Sequence, residues 1–216
     1  MVRCFDLQRQ RCRCGRHFDC NADHLFTSPH LSGNGRTLTH SEVVNWTAAL
    51  NRAAQLPTTV EPRGTFIALD EINHPDGHVT MERRFLDLYS GDGHLSVDGR
   101  STLCDITGVH GMTSAVYVGV AIPTVEGLMN QRHRRKIAKY QRAVSNLGYN
   151  FIPLVFESYS GLLHQDFLDF VTVRSRLIAD RLGLRFAAVR RHWLMRLSCI
   201  LRRQFAFTIT NRIERF

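Results

Sequence analysis

The stretch Gly91-Asp92-Gly93-His94-Leu95-Ser96-Val97-Asp98-Gly99-Arg100-Ser101-Thr102-Leu103-Cys104-Asp105-Ile106-Thr107 carries two aspartates, Asp92 and Asp105, in the spacing D-x12-D. It reads as a β-hairpin, because Asp98-Gly99 between two β-prone runs supplies the positive φ that a tight hairpin turn requires. Alternation along the second strand puts Ser101, Leu103, Asp105 and Thr107 on one face and Thr102, Cys104 and Ile106 on the other. Asp105 is then a carboxylate inside an apolar strand, and burying it unpaired is costly unless a cation compensates it. Two carboxylates converging from adjacent strands make a hard-oxygen site for Mg²⁺, an apparatus suited to breaking phosphodiesters. An aspartate beside glycine can equally cap a turn, and for Asp92 that alternative stays open.

Upstream of the hairpin, Val43, Val44, Trp46, Ala49, Leu50 and Ala53 recur at helical spacing after Ser41, which is placed to act as the N-cap. This predicts a buried helix that ends before Pro57. Short β-prone segments follow at Thr58–Pro62 and Thr65–Leu69, and the polar stretch Asp70–Thr80 reads as a loop. Downstream, Pro123 opens a helix through about Leu147, stopped by Gly148. Phe151–Phe156 is a short, largely apolar strand. A helix from Leu163 to Leu182 and a last one with Phe186, Val189, Trp193, Leu197, Ile200 and Leu201 on one face close the chain. The order predicts an α/β or α+β fold in which helices flank a mixed sheet.

The 216 residues suffice for one ordinary domain, and 44% apolar with 22% charged is a globular composition. No apolar run approaches the roughly 18 residues of a membrane span, so no membrane partner is expected. The net charge of +9 is unevenly spread: residues 131–216 hold 17 Lys/Arg against 5 Asp/Glu, and residues 1–130 hold 11 against 14. The acidic half carries the aspartate pair, and the basic half suits a phosphate backbone, although solvated helix faces also use arginine. Lysine occurs only as Lys136 and Lys139, inside the run Gln131-Arg132-His133-Arg134-Arg135-Lys136-Ile137-Ala138-Lys139-Tyr140. With Arg142, cations go nearly all round that helix, which makes Arg132, Arg134, Arg135, Lys136 and Arg142 candidate contacts to DNA or to RNA.

Of six cysteines, Cys4, Cys12, Cys14 and Cys20 crowd the N-terminus, where no apolar signal-peptide core is evident, so metal binding is expected rather than disulfides. Residues 1–40 read as a Cys/His knuckle, 41–160 as the core with the aspartates, and 161–216 as basic C-terminal helices. Cys12, Cys14, His24 and His30 form a candidate Cys2His2 set for Zn²⁺, with Cys20 as a substitute.

In order, Asp92, Asp105-Ile106-Thr107, Lys139-Tyr140 and Phe151-Ile152-Pro153-Leu154-Val155-Phe156-Glu157 resemble motifs of the restriction-enzyme-like endonuclease domain of LINE-type retrotransposon polyproteins, in the PD-(D/E)XK superfamily. Cys12-Arg13-Cys14-Gly15, Asp23-His24, Pro29-His30 and Glu61-Pro62 resemble its upstream knuckle and the segment that follows it.

The resemblance implies a restriction-endonuclease-like mixed sheet flanked by helices and a hydrolase that cuts DNA with Mg²⁺ or Mn²⁺. Asp92 and Asp105 would hold the metal and Glu61 would be a third carboxylate. It also implies a target-nicking role beside a reverse-transcriptase domain, and an intracellular place, nuclear if genomic DNA is the target. Three departures stand out. Gly91 replaces a proline, Ser28 replaces a knuckle cysteine, and Thr107 stands where the superfamily has its lysine, so that Lys139, or secondarily Lys136, would supply the ammonium from the following helix. No reverse-transcriptase segment is recognisable, which suggests a detached domain, a fragment or a remnant. The alternative is a catalytically decayed nucleic-acid-binding module or a non-functional retroelement remnant.

Overall fold

Residues 34–62, 66–73, 79–95, 98–109 and 124–213 are described by a computed structural model. The first helix, α1 (Asn34–Ala53), buries Val43, Val44, Trp46, Ala48 and Leu50. It begins seven residues before Ser41, so Ser41 is inside the helix and is not its N-cap. At the other end Gln55 takes φ 58°, and Gln55 N–H donates to the Arg52 carbonyl while Leu56 N–H donates to that of Asn51. Those two bonds complete a Schellman cap and turn the chain into β1 (Thr58–Val60).

Between β1 and β4 (Leu88–Ser90), β2 (Phe66–Asn73) and β3 (Val79–Phe85) form an antiparallel pair of their own. The polar stretch expected as a loop is therefore strand at Asp70–Asn73 and at Val79–Thr80. Its charged and polar residues are compatible with a ribbon outside the main sheet.

The main sheet has the order β1-β4-β5-β6, with β5 at Thr102–Val109 and β6 at Asn150–Glu157. β1 and β5 run antiparallel to β4, and β6 runs parallel to β5. A parallel pair needs a crossover, and α2 (Val125–Asn146) supplies it. The Thr124 hydroxyl caps α2 by accepting from Gly127 N–H at 3.0 Å, so Pro123 is not its opening residue. Val116–Ile122 lie outside the described residues. α3 (Gln165–Leu182) is capped by His164 and ends on Gly183 at φ 63°, and α4 (Phe186–Ile213) closes the fold.

The expected tight turn at Asp98-Gly99 is not what joins β4 to β5. The connection is residues 91–101, including a 3-10 turn at Gly93–Leu95, and Asp92 lies beyond the end of β4. Backbone packing accounts for this: a Cβ on Gly93 would stand 2.4 Å from the Gly99 carbonyl oxygen, so two glycines let the loop fold back on itself.

Alternation along β5 divides the interior between two faces. Leu103 packs with Phe151 and with Tyr140 and Val144 of α2 on one. On the other, Cys104 and Ile106 join Leu88, Leu154 and Phe156 against α1, α3 and α4, which contribute Trp46, Phe167, Phe170, Trp193 and Leu197. The mixed α/β class is as expected, and α3 and α4 share one core with α1 and the sheet.

Candidate functional site

Asp105 lies on the α2 face of β5, with only 8% of its surface exposed. Its carboxylate is held from two sides: Lys136 Nζ donates to Oδ1 at 3.0 Å and lies 2.9 Å from Oδ2, and the Thr107 hydroxyl donates to Oδ2 at 2.7 Å. The residue at the usual lysine position therefore orients the carboxylate instead of supplying a charge. Lys136 and not Lys139 meets Asp105. The buried stripe of α2 runs through Met129, Tyr140 and Val144, and Lys136 lies one turn before Tyr140 on that stripe. Lys139 is exposed, with its Nζ 5.8 Å from the Tyr140 ring centroid.

Asp92 does not join Asp105. It is 5% exposed and paired with Arg174 of α3, whose guanidinium also donates to Ser90 Oγ at 3.3 Å and to Asn51 Oδ1 at 3.1 Å. Ser90 pairs with Thr102, and Thr102 is on the opposite face of β5 from Asp105. The two carboxylates thus point to opposite sides of the sheet, and a single cation cannot bind both. Packing at Gly91 separates Asp92 from the family motif as well. The Gly91 N–H donates to the Pro57 carbonyl at 2.8 Å and a Cβ there would meet Pro57 Cβ at 2.8 Å, so a proline has no place before Asp92. Burial lowers the Arg174 pKa and Asp92 opposes that, as expected of a buried ion pair.

The aspartate that does accompany Asp105 is Asp87, at the entry to β4. Its Oδ2 accepts from Ile106 N–H at 2.6 Å, so its carboxylate touches the backbone of the residue next to Asp105. Its own N–H donates to the Cys104 carbonyl at 3.1 Å, and its carbonyl accepts from Glu61 N–H at 2.9 Å. Glu61 serves here through its backbone. Its side chain is exposed and it sits at φ 45°, so it is not a third carboxylate of the site. From α1, His40 Nε2 approaches Asp87 Oδ2 at 3.2 Å, and this bond raises the His40 pKa above its ordinary 6.5 against the lowering effect of burial.

Asp87, Asp105, His40, Thr107 and Lys136 line one open cleft of about 660 Å³, together with Gln131, Arg132, Arg135 and Ser158. Arg132 and Arg135 are exposed at this cleft, whereas Arg134 and Arg142 are exposed on α2 away from its lining. The candidate zinc ligands Cys12, Cys14, His24 and His30 lie outside the described residues. Among the described residues, the three-residue His/Cys/Asp/Glu group whose ligand atoms all fall within 4.8 Å of one another is His133, His164 and Asp166. Asp87, Asp105 and His40 do not form such a group among the described residues. No described helix is long and apolar enough to cross a membrane.

Asp87 and His40 escaped the sequence reading because the D-x12-D spacing favoured Asp92. The signal was present: Asp87 sits in Phe85-Leu86-Asp87-Leu88-Tyr89, a carboxylate between leucines, which is the same pattern that marked Asp105. Compared with known proteins, the chain matches no family model and no curated protein.

Proposed function

We propose that the chain is a metal-dependent DNA endonuclease domain of the restriction-endonuclease-like class, with Asp87 and Asp105 as its acidic pair and Lys136 as its ammonium. The observation that carries the reading is the meeting of Asp105, Lys136 and Asp87 at a cleft edged by Arg132 and Arg135. The chain order supports it: a helix, three antiparallel strands, a helical crossover and a parallel fourth strand frame the pair, with the β2-β3 ribbon inserted.

The donor set suits a hard divalent cation, because two carboxylates line one cleft. Asp87 and Asp105 would hold Mg²⁺ or Mn²⁺, which supplies charge to the scissile phosphate and acidity to a coordinated water. Lys136 now neutralises Asp105. Were a cation to take over that task, the Lys136 ammonium would be available to the phosphate oxygens, where charge develops. Thr107 keeps the Asp105 carboxylate oriented, and Arg132 and Arg135 bind flanking phosphates. In the retroelement setting, the nick exposes a 3′-hydroxyl for a reverse transcriptase.

Supercoiled plasmid incubated with the chain and Mg²⁺ or Mn²⁺ tests this reading. Nicking is expected, and Asp105→Asn or Asp87→Asn should lower it roughly 100-fold or more, the scale of losing several kcal/mol of charge stabilisation. A second reading rests on the Lys136–Asp105 pair itself: an acid already neutralised within the chain leaves a net basic cleft, as in a binding module without catalysis. Salt-sensitive DNA binding with no nicking in either metal would select that one.

A further inference from the structure

Away from the cleft, His133 of α2 meets the N-terminus of α3. His133 Nε2 lies 2.6 Å from Asp166 Oδ2, and the His133 and His164 rings stack at 4.0 Å with an interplanar angle of 14°. His164 Nε2 is 3.0 Å from Asn130 Oδ1. That oxygen only accepts, so His164 carries its proton on Nε2 and keeps a lone pair on Nδ1. That lone pair accepts the 3.3 Å N-cap bond from Asp166 N–H, which a metal bond would replace. A histidine that donates its far nitrogen to an amide oxygen has the outer support of a metal ligand.

From these positions we infer that His133, His164 and Asp166 form a Zn²⁺ site that joins α2 to α3, with Asn130 as its positioning residue. One ligand atom from each of the three already lies within 4.8 Å of the other two. Tetrahedral zinc at bonds of about 2.0 to 2.2 Å wants its ligands roughly 3.3 Å apart. The His133–Asp166 pair therefore opens slightly and the stacked rings tilt toward a common centre. Two imidazoles and one carboxylate, without sulfur, suit Zn²⁺ and not Mg²⁺, which prefers oxygen alone. Three protein ligands leave a fourth position for water. The consequence is mechanical: His133 precedes Lys136 by three residues on the same helix, so the ion pins the helix that delivers the ammonium.

The N-terminal cysteines would compete for zinc if they bind it, so the test uses the full chain carrying Cys4→Ser, Cys12→Ser, Cys14→Ser and Cys20→Ser. Co²⁺ titration should show tetrahedral d–d absorption without thiolate charge transfer, and Zn²⁺ should displace the Co²⁺ and raise the melting temperature. His164→Asn, which keeps an N-cap side chain, and Asp166→Asn should each weaken binding by more than about tenfold, and Asn130→Ala by about tenfold. Binding absent from the cysteine-substituted chain overturns the assignment. So does binding, or a melting shift, that His164→Asn and Asp166→Asn leave unchanged while circular dichroism shows them folded.

Discussion

At the scale of single residues, three aspartates take three different tasks according to what their neighbours offer. Asp105 meets an ammonium at a cleft, Asp87 meets an imidazole and a backbone N–H, and Asp92 meets a guanidinium in the interior. Asp92→Asn should therefore cost about 3 to 5 kcal/mol, since it leaves Arg174 buried without its counter-charge, and urea unfolding measures the loss. The His40 pKa is raised in the folded chain. Its contribution to stability is therefore fully present below the unfolded pKa of about 6.5 and fades as pH rises through the folded value. NMR titration of the His40 ring should give a midpoint above 6.5, falling toward it in Asp87→Asn. At this scale Asp105 was legible, because a carboxylate amid Leu103, Cys104 and Ile106 demands a partner. Asp92 misled because sequence spacing does not say on which side of a sheet a residue beyond a strand end will turn. The choice of Lys136 over Lys139 depended on helix phase, which the buried stripe through Tyr140 and Val144 decides.

Among the elements, most helices and strands follow their apolar periodicity, and the errors collect where punctuation is weak. α1 starts earlier than Ser41 because a serine signals an N-terminus only if the preceding residues leave the helix. Its C-terminus uses Gln55 at φ 58°, although glycine is the usual residue there. Gln55→Gly should relieve that conformation and stabilise the chain by about 1 kcal/mol, read as a higher urea midpoint at unchanged slope. β2 starts within the expected segment Thr65–Leu69, but its polar end was missed for a related reason. Asp70, Glu71 and Asn73 carry no hydrophobic alternation in the sequence to mark them as strand.

For the whole molecule, two interiors on opposite sides of one sheet explain why the acidic residues separate. The α1-α3-α4 side closes over Asp92 and Arg174, and the thinner α2 side leaves Asp105 at an open cleft. The charge asymmetry of the sequence becomes a basic helix beside that cleft. If Arg132 and Arg135 each neutralise a phosphate, Arg132→Gln and Arg135→Gln should each reduce the salt slope of DNA affinity by about 1. Fluorescence anisotropy across a salt series measures it, and Arg142→Gln, outside the cleft lining, should change the slope less. The mixed sheet was legible from element order and a crossover length. The β1-β4-β5-β6 order and the division of faces were not, because they depend on contacts between residues far apart in the chain.

That separation also sets a timetable. β5 has one edge satisfied by β4, but its other edge is paired by β6, beginning at Asn150, and the core beneath it is completed by α3 and α4. On a ribosome, the strand bearing Asp105 leaves the exit tunnel well before the segment that buries it. The cleft thus comes into being only as the final third of the chain emerges, and a product terminated within α2 would display the acidic residues without ever arranging them.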